Sequence, residues 1–136
     1  MTPEQNALVQ KTFEKAYEQE EKLGELFYNK LFEMDPHIKA LFKGHLKAQG
    51  RMFMSMLRTV VQSFDHFDDV VYHLQLLARR HVAYGTEPEH YDTVGKALLS
   101  ALEKTLGSEY TPKVRQAWEE AYSMISKTMK DAAHRK

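Results

Sequence analysis

The chain has no cysteine among its 136 residues, which excludes disulfides, thiolate metal sites and cysteine nucleophiles together. It also has no long apolar run, and Glu4, Glu14, Glu18 and Glu20 all fall within its start. A secretory leader and a membrane span are therefore not expected, and the expected compartment is the cytoplasm. Neither sign of charge dominates, because Lys plus Arg number 19 and Asp plus Glu number 19. A generic nucleic-acid surface is accordingly not expected. The 6 glycines form no G-x-G-x-x-G fingerprint, so a dinucleotide-binding reductase is not expected within this sequence. Sustained two-residue alternation is missing as well, which argues against a β-sheet.

What the sequence does have is helical period, from end to end. Thr2-Pro3-Glu4-Gln5 is a start signal: threonine caps, proline suits the first helical position, and glutamine completes a capping box. Leu8, Phe13, Ala16 and Tyr17 form the next buried stripe. A second helix carries Leu23, Gly24, Phe27, Tyr28, Leu31 and Phe32 before Asp35-Pro36 turns the chain, and a short helical piece ends at Leu41-Phe42-Lys43-Gly44. The next shows Leu46, Gln49, Gly50, Phe53, Leu57, Val60 and Phe64, with Gly24 and Gly50 placed to let the two helices cross closely. Asp65-His66-Phe67-Asp68-Asp69 leads into a further helix that Gly85 ends. Thr86-Glu87-Pro88-Glu89 opens one with Val94, Leu98, Leu102 and Leu106, which Gly107 stops, and Thr111-Pro112 opens the last, with Trp118, Tyr122, Ile125 and Met129. These elements predict one all-α domain over residues 1–136, of about six to eight helices joined by short turns.

One residue interrupts the apolar pattern. Val70, Leu74, Leu77, His81 and Tyr84 recur at three- and four-residue steps, so His81 stands where the helix should present an apolar side chain. A neutral imidazole there offers a lone pair in a partly dry slot, with Arg79 and Arg80 at its edge. Alone, this pattern fits a satisfied core histidine as well as a metal ligand. His37, His45, His66, His73 and His134 have polar neighbours and read as surface residues, and Met52, Met54 and Met56 as gap-filling core and surface.

The ordered set Phe27-Tyr28, Leu31-Phe32, Pro36, Leu41-Phe42, Gln49, Arg80-His81, Gly85, His90-Tyr91, Val94-Gly95, Ala117-Trp118 and Ala121-Tyr122 resembles the bacterial single-domain globins related to the haem domain of flavohaemoglobins. The resemblance implies a globin fold around haem b. It makes His81 the metal ligand, with its second ring nitrogen donating to a carbonyl near Leu77. Phe42 would stack on the porphyrin, Phe53 would line the same pocket, Tyr91 would lie beside the histidine, and His90, Arg79 or Arg80 would meet a propionate. On the distal side it places Tyr28 and Gln49, two hydrogen-bond donors, against the gas ligand, with Phe53 one turn beyond. His45 is one turn before Gln49, a conditional sixth ligand.

The chain also departs from that family. A glutamate late in the last helix is replaced at the matching position by Ala133, and neighbouring Asp131 falls on a different face. Phe53 stands where a smaller aliphatic residue is usual, which narrows the ligand space. The implied function is reversible, high-affinity binding of dioxygen for storage, delivery or scavenging, with nitric oxide and carbon monoxide as further ligands and no catalytic residue assigned. The alternative is a nitric oxide dioxygenase served by a separate reductase. A sensor and a haem-free interaction module rank below both.

Overall fold

In the computed structural model, which describes residues 1–41, 46–83 and 88–133, six α-helices carry the fold: α1 Pro3–Tyr17, α2 Glu20–Met34, α3 Leu46–Gln62, α4 Asp68–Ala83, α5 Pro88–Leu106 and α6 Pro112–Ala133. Short 3-10 turns cover Pro36–Leu41, Phe64–His66 and Gly107–Glu109, and there is no strand among the described residues. Local chemistry sets the ends. The Thr2 amide donates to Gln5 Oε1 at 2.9 Å while the Gln5 amide donates to Thr2 Oγ1 at 3.1 Å, the reciprocal pair of a capping box. The Asp35 carboxylate accepts from the His37 amide at 3.1 Å and turns the chain after α2. Gly107 stops α5 with φ +59°, a left-handed angle that glycine alone adopts without a Cβ penalty.

Packing is set by the apolar faces. α2 lies on α5, α4 on α6, α2 crosses α3, and α1 docks against α6 and α3. Trp118, Phe13, Leu23, Leu31, Met54, Leu98 and Leu102 are among the largest fully buried side chains. One polar relay runs through this core. The Trp118 indole N–H donates to Thr12 Oγ1 at 2.9 Å, and Thr12 Oγ1 donates to the Leu8 carbonyl at 2.6 Å. The relay leaves the indole nitrogen satisfied where water does not reach, so its burial carries no desolvation penalty of roughly 1–3 kcal/mol.

The α2–α3 crossing is held close by two glycines. A Cβ built on Gly24 would stand 4.0 Å from the Gly50 Cα, so the two backbones pass almost in contact. A Cβ on Gly50 would reach the Tyr28 ring at 3.1 Å. The missing side chain at Gly50 is therefore the space in which Tyr28 sits. The core stripes are wider than the sequence pattern predicts: Val9, Met54, Val61, Ala97 and Ala101 are buried too, because helices with neighbours on two sides bury a broader arc. Met52 is exposed, Met54 buried and Met56 between them.

Candidate functional site

α4 turns Val70, Leu74 and Ala78 into the core and leaves Leu77 and His81 half-buried along the same side. His81 Nδ1 lies 2.8 Å from the Leu77 carbonyl, one turn back in its own helix. A carbonyl only accepts, so Nδ1 carries the hydrogen and, in the neutral ring, Nε2 carries the lone pair. The bond also fixes the plane of the imidazole. From α5, the buried Tyr91 presents its ring to His81 with centroids 6.4 Å apart and planes 26° apart. Burial pushes the Tyr91 hydroxyl pKa above its ordinary value, and its oxygen has no hydrogen-bond partner among the described residues.

A second cluster forms where α2 meets α3. Tyr28 is buried, and burial pushes its hydroxyl up to about 12, so it remains a protonated donor throughout the neutral range. Its ring stacks on Phe32, with centroids 5.7 Å apart, and tilts against Phe27 at 5.2 Å. Phe27 in turn stacks on Phe53 at 4.8 Å. Gln49 is half-buried and immediately precedes Gly50, the residue that makes room for Tyr28. Tyr28, Gln49 and Phe53 thus all lie at the α2–α3 crossing. They are joined there by Phe27, which the sequence pattern marks only as core.

Arg79 and Arg80 are exposed, and His90 is half-buried in the first turn of α5. Phe42 and His45 lie outside the described residues, as do Gly85 and His134. Ala133 is half-buried against the core, whereas Asp131 is exposed and lines a groove between α5 and α6. Ala133 brings no carboxylate to the bundle, and the Tyr91 hydroxyl finds no acceptor among the described residues. A buried hydroxyl without a partner is destabilising, so Tyr91→Phe is expected to leave thermal stability unchanged or raise it, by up to about 1 kcal/mol. A clear drop in the melting temperature of that variant would mean that the hydroxyl is hydrogen-bonded after all.

A contact between distant residues, invisible to any stripe, ties these helices together. The Tyr122 hydroxyl of α6 donates to the Tyr91 backbone carbonyl at 2.5 Å. The only signal for it in the sequence is the paired spacing of Gly95, four residues after Tyr91, and Tyr122, four after Trp118.

Helices crossing at a glycine pair, with a histidine on one apolar face and a tyrosine–glutamine pair on another, define an all-α protein of the globin fold. The profile of the globin family matches residues 25–129, and the chain belongs to that family. It is 36% identical over 110 residues to a flavohaemoprotein of Xylella fastidiosa, covering 79% of this chain and 28% of that protein's length. A bacterial globin from Campylobacter jejuni superposes with a TM-score of 0.86 at 24% identity, over 97% of this chain and 96% of that one. An engineered carbene transferase from Rhodothermus marinus gives 0.87 at 22% identity, over 98% and 93%. Among the described residues no helix is long and apolar enough to cross a membrane.

Membership of this family implies haem binding, and the residues present fit that group. His81 has a lone-pair nitrogen fixed by its tautomer, on a half-buried side of α4. On α2, Tyr28 supplies a buried hydroxyl that stays protonated.

Proposed function

We propose that this chain, one globin domain over residues 1–136, holds haem b through His81 and binds dioxygen reversibly and with high affinity. The observation that carries the reading is Tyr28: a hydroxyl buried among Phe27, Phe32 and Gly50, with a pKa that burial raises further above neutrality. Haem supplies the metal centre that takes a diatomic gas; the chain supplies orientation, dryness and hydrogen bonds. The Leu77 carbonyl holds His81 Nδ1, so the imidazole would offer its Nε2 lone pair to the metal with its ring orientation fixed. Phe27 and Phe53, stacked on one another, form an apolar wall that excludes water. Tyr28 Oη and the Gln49 amide are two donors for a ligand that gains negative charge on binding, which favours dioxygen over carbon monoxide. Phe42 would lie on the porphyrin, with Arg80 and His90 near its carboxylates.

A second reading, a nitric oxide dioxygenase working with a separate reductase, is favoured by the likeness to a flavohaemoprotein. One experiment distinguishes the two. The haem-loaded, oxygenated protein is mixed with nitric oxide in the presence of a reductant that does not limit the rate. For an oxygen carrier, slow oxygen release with at most a single turnover is expected. Sustained nitrate formation over many turnovers would replace that reading with the enzymatic one. Failure to take up haem would remove both.

A further inference from the structure

We propose that Glu21 is a positioning residue for Gln49: through Arg51 and Lys47 it holds the opening turns of α3 against α2, and it makes dioxygen release sensitive to salt. The inference rests on the reading of Gln49 as a hydrogen-bond donor to the gas.

The opening turns of α3 are weakly packed. Leu46, Gln49 and Phe53 are half-buried, Lys47, Ala48, Arg51 and Met52 are exposed, and Gly50 is buried but has no side chain. Met54 is the first side chain of α3 to be fully buried. Beyond it, apolar packing is joined by a bidentate tie: Arg58 donates from Nε and Nη2 to the two Glu14 oxygens of α1, at 2.9 and 3.0 Å. Gln49 therefore stands on the half of α3 that apolar burial secures least, and such segments open locally at low cost.

What fastens that half is a carboxylate of α2. Glu21 Oε1 accepts from Arg51 Nη2 at 2.8 Å, and Lys47 Nζ stands 3.8 Å from the same oxygen. The Arg51 hydrogen bond, and then the Lys47 charge, hold the Glu21 carboxyl below the usual carboxylate range. Lys47 and Arg51 are one turn apart and share a flank of α3. Gln49 lies midway between them in sequence and projects from the other side, about 160° round the helix. Between the two flanks Gly50 meets α2, where Gly24 lets the backbones pass almost in contact. The crossing is thus a pivot, with the Glu21 clamp on one side and Gln49 on the other. Releasing the clamp lets the opening turns of α3 roll about that pivot and carries the Gln49 amide with them. An exposed ion pair adds little to global stability. On a weakly held end, the same small free energy sets how often the turns open.

The test measures dioxygen and carbon monoxide release by stopped flow from the haem-loaded full chain. It is run at low salt and at about 1 M salt, where screening sets in beyond roughly 3 Å. Glu21→Gln is expected to speed dioxygen release at low salt by roughly two- to fivefold, the effect of one exposed ion pair. Carbon monoxide release should stay in place. High salt should speed dioxygen release from the unmodified chain and change Glu21→Gln little. Exchanging the charges, Glu21→Arg with Arg51→Glu, should restore slow release. Glu20→Gln removes the neighbouring first-turn charge of α2 and leaves the clamp intact, so it should behave like the unmodified chain. A second readout is hydrogen exchange, with and without haem, at the amides of residues 50–53, the first in α3 with partners inside the helix. Exchange there should quicken in Glu21→Gln and not in Glu20→Gln.

Dioxygen release indifferent to Glu21→Gln and to salt, in a protein where Gln49→Leu alters it, would overturn the proposal. So would an equal effect of Glu20→Gln. If Gln49→Leu itself leaves dioxygen release unchanged, the failure lies with Gln49 as a donor, and exchange alone decides the clamp: quickened exchange in Glu21→Gln upholds it, and unchanged exchange overturns it.

Discussion

His81→Ala is expected to yield a folded chain that no longer retains haem. The half-buried imidazole commits its Nδ1 to a backbone carbonyl of its own helix, at 2.8 Å. That geometry leaves Nε2 as the lone-pair nitrogen, and removing the ring removes the coordinate bond that α4 offers. The Leu77 carbonyl loses one hydrogen bond, so the cost to folding is about 1 kcal/mol, well below typical domain stability. After haem is added and the excess removed by gel filtration, the variant should show almost no Soret absorbance. Added imidazole, small enough for the vacated space, should restore part of it. Retention equal to that of the unmodified chain would show that His81 is not the ligand.

The second large effect is expected at Tyr28. Tyr28→Phe deletes a hydroxyl at nearly constant volume, leaving the stacked contacts with Phe32 and Phe27 in place. A hydrogen bond to a group carrying charge contributes roughly 1.5–3 kcal/mol, so oxygen dissociation should accelerate by about 10- to 100-fold. Carbon monoxide, much less polar when bound, should respond far less. Gln49→Leu and the double variant show whether the two donors act on one ligand, by the departure of their combined effect from additivity. Stopped-flow release of each gas is the measurement. An unchanged oxygen rate, or equal changes for both gases, would make Tyr28 a core tyrosine and nothing more.

The parts of the molecule legible in the sequence are those whose chemistry is local. The capping box of Thr2 and Gln5, the stop at Gly107 and the stripe from Val70 to His81 each need only a few consecutive residues. The close crossing at Gly24 and Gly50 is also readable, because small residues on apolar stripes have few other uses. Less visible are bonds whose partners are far apart along the chain. Tyr122 and Tyr91 are 31 residues apart, and Trp118 and Thr12 are 106 apart. Nothing local to Thr12 marks it as the acceptor of an indole N–H that arrives from α6. Phe27 is legible as core, but its place under Phe53 depends on the angle between two helices, which no stripe encodes. The same holds for Tyr91: the pattern marks it as buried, and only three-dimensional packing lays its ring beside the imidazole.

The Trp118 relay has a further use. This is the sole tryptophan of the chain, wholly buried, and its N–H is bonded to a residue of α1. Indole emission, excited at wavelengths tyrosine does not absorb, is therefore a single-site signal, free of averaging over several indoles. It comes from the seam between the first and last helices, so it reports whether the two ends of the fold are joined. The same indole is a natural energy donor to any pigment held within the bundle. Brightness and colour of one side chain would then track docking of the first helix and filling of the pocket separately, without any added dye.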